Sequence, residues 1–405
     1  MTKKNIITPY GFPKKFLNNR LYKNLSKDFN QILKNLKKDI YNPKNTLNIL
    51  SENYKFNFKT KDLISFKKYK NIVLIGMGGS ILGSEAIYCF LKSKINKQVY
   101  FFDDIDFERN IKIKKNIDLK KTLFLIISKS GNTIETISNL ISLEILKKNK
   151  KNIIIISERK NNYLFNLSKK LNLFYIEHKK IIGGRYSVLS EVGIVPAYLM
   201  GLNINKLRKN LKSHLFAKKN LFLKESSLVL SNLSIKKKYN NLIFLNYAPE
   251  LEKFLYWRQQ LMAESLGKKG KGLLPTVSNM PKDHHSLLQL YLDGPKDKIF
   301  EIFTVEKKPE KKLSNRYLSH NLSFLKNKTL QQIKRSQKDA MIKSFLKNKI
   351  PFKEYVIKKI NEDSLSELFS YFIIETVIIG RLIKVNPFDQ PAVEQVKKFT
   401  KDFLN

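Results

Sequence analysis

Short, uninterrupted apolar runs recur along this chain, and each is followed by a stretch with helical spacing. "NIVLIG" (71–76) precedes a helical stretch from Ile81, and "VYFFDD" (99–104) follows it. "TLFLIIS" (122–128) precedes a helix expected near Thr133, and "NIIIIS" (152–157) precedes another. Strands apolar on both faces belong to parallel sheets covered by helices on each side. A second series runs from "NLIFLN" (241–246) through a helix over 249–266, then "IFEIFTV" (299–305) and "EYVIKK" (354–359), to the helix "SLSELFSYFIIETVIIGRLI". The fold class is therefore α/β, with two domains, each a parallel sheet flanked by helices. Residues 1–50 read as a basic, helical N-terminal arm, 51–210 as the first domain and 211–405 as the second. Near the boundary, 202–235 forms a helical, basic joining region.

Two domains also suit the length, since 405 residues exceed what one core usually supports. No apolar stretch of about 18 residues occurs, and the start "MTKKNIITPYGFPKK" lacks the apolar centre of a secretory signal. A cytoplasmic protein with no membrane partner is expected. Cys89 is the one cysteine, which excludes an internal disulfide and a cysteine-based metal cluster. The formal charge of +43 at first suggests nucleic acid. Yet the excess is lysine, spread along the chain with Asn and Ile as in "KKNKKNIIII". A nucleic-acid groove gathers arginine and aromatic rings at one place. No specific nucleic-acid partner is expected, although such a surface would attract an anionic small molecule.

Two loops sit where a parallel sheet offers its ligand site, at strand ends that feed helix N-termini. "SKSGNTIET" (128–136) follows a strand with the hydroxyls of Ser128, Ser130 and Thr133, while Gly131 allows close backbone approach. Asn132 and Glu135 fit a capping box there. "IGMGGSILGSEAI" (75–87) also follows a strand, with Gly76, Gly78, Gly79 and Gly83. Its spacing departs from the dinucleotide pattern, because the third glycine would fall at Ile81, and no Gly-Lys-Ser/Thr follows to make a nucleotide-phosphate loop. Two such neighbouring loops suit one monophosphate, with Ser80 as a further donor. In "GGRYSVLSEVG" two glycines expose Arg185 beside a helix expected from Ser190, where the guanidinium can hold a substrate oxygen and stabilise charge developing there.

The second half holds candidates for proton transfer. Glu264 lies in "MAESLGKKG", an apolar helical setting where desolvation would raise a carboxyl pKa and make it a usable base. His284 and His285 are adjacent in "KDHHSLLQLYLDGP", and no third ligand is spaced to make them a metal site. "NPFDQPAVEQVKKF" adds Gln390, Glu394 and Lys397.

Taken in order, "IGMGGSILG", "SKSGNTIET", "GGRYSVLSEVG", "AESLGK", "HHSLLQLYLDGP" and "NPFDQPAVEQVK" resemble the glucose-6-phosphate isomerase family in its short bacterial form, over about residues 71–398. The resemblance implies two sugar-isomerase (SIS) domains, aldose–ketose isomerisation of glucose 6-phosphate to fructose 6-phosphate in glycolysis and gluconeogenesis, and a homodimer with active sites at the subunit interface. It implies no cofactor and no metal, because acid and base are side chains. Phosphate binding falls on Ser128, Lys129, Ser130 and Thr133, with Gly79 and Ser80 from the other loop. Gly184 and Arg185 belong to the arginine motif, Glu264 is the isomerising base, and His285, not His284, opens the ring from the partner subunit. Gln390 lies near the substrate and Lys397 at the ring oxygen. Ala392 and Val396 stand where the family often has glycine. Two other classes stay behind this reading: a non-catalytic sugar-phosphate sensor has no use for the Glu, His and Lys set, and a nucleic-acid binder would need clustered arginine.

Overall fold

A computed structural model describes the chain except for residues 1–5, 13–15, 18, 148–150, 217–220, 237 and 307–309. Part of the expected N-terminal arm therefore lies outside the described residues. Among the described residues ten strands are present: β1 (Ile6–Ile7), β2 (Asn71–Ile75), β3 (Gln98–Phe102), β4 (Thr122–Ile127), β5 (Ile153–Ser157), β6 (Phe174–Glu177), β7 (Asn241–Asn246), β8 (Leu274–Asn279), β9 (Lys298–Val305) and β10 (Phe352–Ile357). They form two five-stranded sheets, ordered β3-β2-β4-β5-β6 and β8-β7-β9-β10-β1. Every pairing is parallel except β1 with β10.

The strands lie where the apolar runs predict, and for the stated reason. Every residue of β4 and β5 is buried, so both faces of those strands are covered. Alternate side chains go to different cores, as the two-residue period requires. In the first sheet Val73, Phe124, Ile126 and Ile155 pack under Leu140 and Leu164, while Ile72, Leu74, Leu125 and Ile154 face inward. In the second, Ile243, Phe300 and Ile302 pack under Met341 and Phe345, while Leu242, Phe244 and Tyr355 face inward. Both inward faces belong to one continuous core, filled by the Leu82–Leu91, Glu252–Leu266 and Glu362–Leu382 helices. The two halves thus share their central helical layer.

Three features differ from the sequence expectation. The N-terminal segment is more than a cover. Ile6 and Ile7 pair with Ile357 and Val356 as an antiparallel edge strand, so the second sheet is mixed. Downstream, the Asn19–Asp39 helix packs on Glu362–Leu382, where Arg381 donates to Asp39 at 2.6 Å. Strands β6 and β8 were not expected: β6 is a four-residue edge strand in a short run, and β8 has no continuous apolar run. β8 carries Pro275 and is only partly buried, as an edge strand can be. The 202–235 region is helical as expected, but its Leu221–Ile235 helix is largely buried against Glu362–Leu382.

Both sheets reverse direction of growth at the same place. The chain leaves β2 for β3 on one side and returns to β4 on the other, and it leaves β7 for β8 before returning to β9. Ligands in open parallel sheets bind outside the carboxyl ends at such a switch point.

Candidate active site

The first switch point, between β2 and β4, is where the two small-residue loops meet. After β4 the chain turns at Gly131, whose φ of +70° suits glycine, and a Cβ there would overlap the Asn162 side chain. This turn gathers three hydroxyls at the N-terminus of the Ile134–Ser142 helix. Ser128 Oγ lies 2.7 Å from Thr133 Oγ1 and 3.4 Å from Ser130 Oγ, and Ser130 and Thr133 are 3.3 Å apart. Hydroxyl donors at a helix start, with its unpaired N–H groups, form an anion cradle. The expected capping box is absent: Thr133 is the cap residue, and Asn132 Oδ1 instead accepts from Tyr163 N at 2.8 Å, tying the loop to the next helix.

Lys129 is turned aside from the hydroxyls. Its Nζ donates to the Lys180 carbonyl at 2.9 Å and sits 3.7 Å from Glu158. Burial lowers its pKa, with Glu158 opposing. Nearby His178 is fully buried and held neutral, its pKa pushed down to about 4 by burial and then by Lys129.

The second loop joins this cradle to the arginine. Gly79 lies against Gly184 so closely that any Cβ would overlap the Gly184 and Arg185 backbone, and Ser187 Oγ donates to Gly79 O at 3.2 Å. A Cβ on Gly78 would come within 2.8 Å of Gln260 Nε2. Ser80 is buried beside them. One short loop therefore touches both the arginine motif and the helix that carries Glu264.

Arg185 is buried, and every one of its five N–H groups has a protein partner. Nε donates to Ser265 Oγ at 2.8 Å; Nη1 donates to Glu264 Oε2 at 3.1 Å and Gln390 Oε1 at 2.5 Å; Nη2 donates to the carbonyls of Pro387 and Asp389 at 2.8 and 2.9 Å. Tyr186 supports the same arrangement, its hydroxyl 2.9 Å from both Ser265 Oγ and the Pro387 carbonyl. Lys268 pins the far side through Asp389 Oδ1 at 2.6 Å, a bond that holds the Asp389 carboxyl below its usual range.

This geometry corrects the reading of Glu264. Its carboxylate is not in an apolar setting, because it faces the guanidinium and also accepts from Gln260 Nε2 at 2.9 Å. The buried apolar neighbours Met262 and Leu266, two residues to either side, fall on the opposite face of the helix. Gln260, Ser265, Tyr186 and Lys268 carry the site and were not singled out from sequence. Gln260 had a signal, since it stands one helical turn before Glu264.

Glu264, Arg185, Gln390 and the two loops thus come together, while the remaining candidates do not. His285 is exposed, in the turn after β8. His284 Nε2 is 2.8 Å from the Tyr247 hydroxyl, and burial followed by its neighbour His285 lowers its pKa. Lys397 stands on the exposed Val393–Leu404 helix, paired with Glu394 at 2.6 Å. Among the described residues no three His, Cys, Asp or Glu side chains converge as a metal site. No described helix is long and apolar enough to cross a membrane.

Two doubly wound sheets of matching strand order, with a hydroxyl cradle at one switch point and a carboxylate–guanidinium pair beside it, define an α/β protein of the sugar-isomerase (SIS) type. Solved structures share the fold: one of a Thermus thermophilus protein matches with a TM-score of 0.83 at 24% identity, over 98% of this chain and all of that one. A glucose-6-phosphate isomerase from Chlamydia trachomatis matches with a TM-score of 0.77 at 17% identity, over all of this chain and 89% of its own. In sequence, the glucose-6-phosphate isomerase of Methanocaldococcus jannaschii is 35% identical over 362 residues, 82% of this chain and 84% of its own. The family model for phosphoglucose isomerase matches residues 44–405, and the chain belongs to that family.

Proposed function

We infer that the protein is an aldose–ketose isomerase that interconverts glucose 6-phosphate and fructose 6-phosphate. One observation carries the reading beyond family membership: the Gly76–Ser80 loop is wedged against the Arg185 backbone and the helix of Glu264, and its Gly76 lies against the Ile127 carbonyl, directly before the β4 hydroxyl cradle. A phosphate held on Ser128, Ser130 and Thr133 fixes one end of the sugar, and that binding energy positions C1 and C2 at the carboxylate. Glu264 removes the C2 proton and returns it to C1 through a cis-enediol. Arg185 stabilises the negative charge, with Gln390 giving up its bond to the guanidinium as that charge develops. His285 and Lys397 move protons between the ring oxygen and the C1 hydroxyl to open the cyclic substrate.

In this reading the active unit is a homodimer. His285 is exposed and separate from the Glu264 cluster, which fits its entry from a partner subunit. The Val393–Leu404 helix exposes Val396, Phe399 and Phe403 along with Lys397, and a second chain covering that face would seat the lysine. The direct test is a coupled assay with purified full-length protein and glucose 6-phosphate. Appearance of fructose 6-phosphate is expected, and a stable, dimeric protein with no turnover would overturn the reading.

A further inference from the structure

The second sheet has a switch point of its own, between β7 and β9, and a cleft of about 700 Å³ lies over it. That volume is within the usual range of small-molecule sites. Its floor is made by Tyr247 and Ala248, directly after β7, and by Thr304 and Val305 at the end of β9. One wall is a single face of the Leu330–Lys347 helix, presenting Lys334, Arg335 and Lys338. None of these residues belongs to the Arg185–Glu264 cluster or the phosphate cradle. The cleft is the positional counterpart of the active-site switch point, repeated in the other half of the chain.

The charges on this wall differ in what they are already doing. Lys338 is committed, 2.8 Å from both Glu354 and Asp339. Arg335 has only a loose pair with Asp339 at 3.9 Å. Lys334, half-buried against the cleft, has no acceptor among the described residues. Lys334 and the loosely paired Arg335 can thus meet an anion, while the Tyr10 ring and hydroxyl and the exposed Glu306 and Glu310 carboxylates also stand on the lining, Glu310 accepting from Gln331 N at 3.2 Å. A bare dianion would satisfy one wall only. An anion carried on a hydroxyl-rich chain would satisfy both.

We propose that this cleft is a second binding site, for a small phosphorylated polyol, in which Lys334 and Arg335 hold the phosphate. The chemistry of recognition is unlike that of the first half. By position in the sheet β7 matches β2 and β9 matches β4, yet the chain after β7 reads "YAPELEK" where "GMGGS" follows β2, and after β9 it reads "EKKPEKK" where "SKSGNT" follows β4. Here charge does the selecting, so binding weakens with salt. The inference goes beyond the isomerase reading and does not depend on it.

The test is to count equivalents of glucitol 6-phosphate, which cannot be isomerised, by calorimetry on the full chain. Two per wild-type chain are expected, falling to one in Lys334→Glu/Arg335→Glu with isomerase turnover unchanged. The Ser128→Ala/Thr133→Ala variant should keep the equivalent that charge reversal removes. Retention of both equivalents there would count against the phosphate cradle and leave the cleft standing. Inorganic phosphate should displace the cleft-bound equivalent if the phosphate alone is held, and fail to do so if the polyol is needed; either result supports the site. A single equivalent in the wild type that survives charge reversal, or a second one that does so, overturns the proposal.

Discussion

At the scale of single residues, Glu264 decides most. Its partners are Arg185 and Gln260, so the carboxylate is fixed in direction before substrate arrives. Glu264→Gln keeps the shape and can keep a bond to Gln260, but removes the carboxylate proposed as the base. The variant should bind fructose 6-phosphate nearly as the wild type does while losing exchange of the C2 proton with solvent, a loss of about 10²–10⁴ in rate if the carboxylate acts by general base catalysis. Proton exchange followed by NMR measures this, and normal exchange would remove Glu264 from the role. The hydroxyl cradle gives a contrasting result. Ser128→Ala with Thr133→Ala removes two hydroxyls that are 2.7 Å apart. Each charge-assisted bond to phosphate contributes roughly 1.5–3 kcal/mol, so the Michaelis constant should rise by one or more orders of magnitude. An unchanged constant would place the phosphate elsewhere.

At the scale of elements, legibility followed how local the signal was. Strands β2, β4, β5, β7 and β9 were readable because burial on both faces writes a continuous apolar run. β8 was not, since an edge strand with Pro275 needs no such run, and β1 was not, since two residues pair only because β10 is already in place. The loops were readable for the same local reason. The Arg185 cluster was readable only as separate motifs, because its bonds join residues 79 to 205 positions apart. A buried charge network across β9, β10 and the central helices was missed altogether. Arg258 pairs with Glu301 and, at 3.3 Å, with Glu375, while Lys353 lies 4.0 Å from the Phe222 ring and 3.5 Å from the Tyr371 hydroxyl. Burial pushes the Lys353 amine down to about 8, against the opposing pull of Glu375 and Glu301. The free-chain value is higher, so the unfolded chain binds more protons between the two, and stability rises as pH climbs from about 8 toward about 10. Compared with Lys353→Met, the wild type should gain about 2 kcal/mol between pH of about 7.5 and about 9.5 in urea unfolding. Parallel curves for the two proteins would show that Lys353 titrates normally.

At the scale of the whole molecule, the shared central layer makes the first and second halves one mechanical unit, yet it leaves His285 and Lys397 outside the Glu264 cluster. Two arrangements could complete the site: a rearrangement within one chain, or association of two. They differ in what happens when defective chains are mixed. If His285 of one chain serves Glu264 of the other, a hybrid of Glu264→Gln and His285→Ala chains has one site with both changes and one with neither. In a random mixture half the dimers are hybrids, so roughly a quarter of wild-type turnover should return, because a twofold interface places each residue in the partner's site. If both residues serve their own chain, every site carries one defect and mixing restores nothing. Subunit exchange must first be confirmed, for instance by mass spectrometry of the mixed dimers, so that silence is informative. The same variants fix which histidine acts. His285→Ala should cripple turnover of cyclic glucose 6-phosphate and spare much of the activity on open-chain substrate, which in the proposed mechanism needs no ring opening. His284→Ala should do less, since His284 is engaged with Tyr247 at 2.8 Å and is held in the turn rather than presented outward. A larger loss at His284, or no recovery in confirmed hybrids, would return His285 to a structural role and require the ring-opening group to come from the same chain as Glu264.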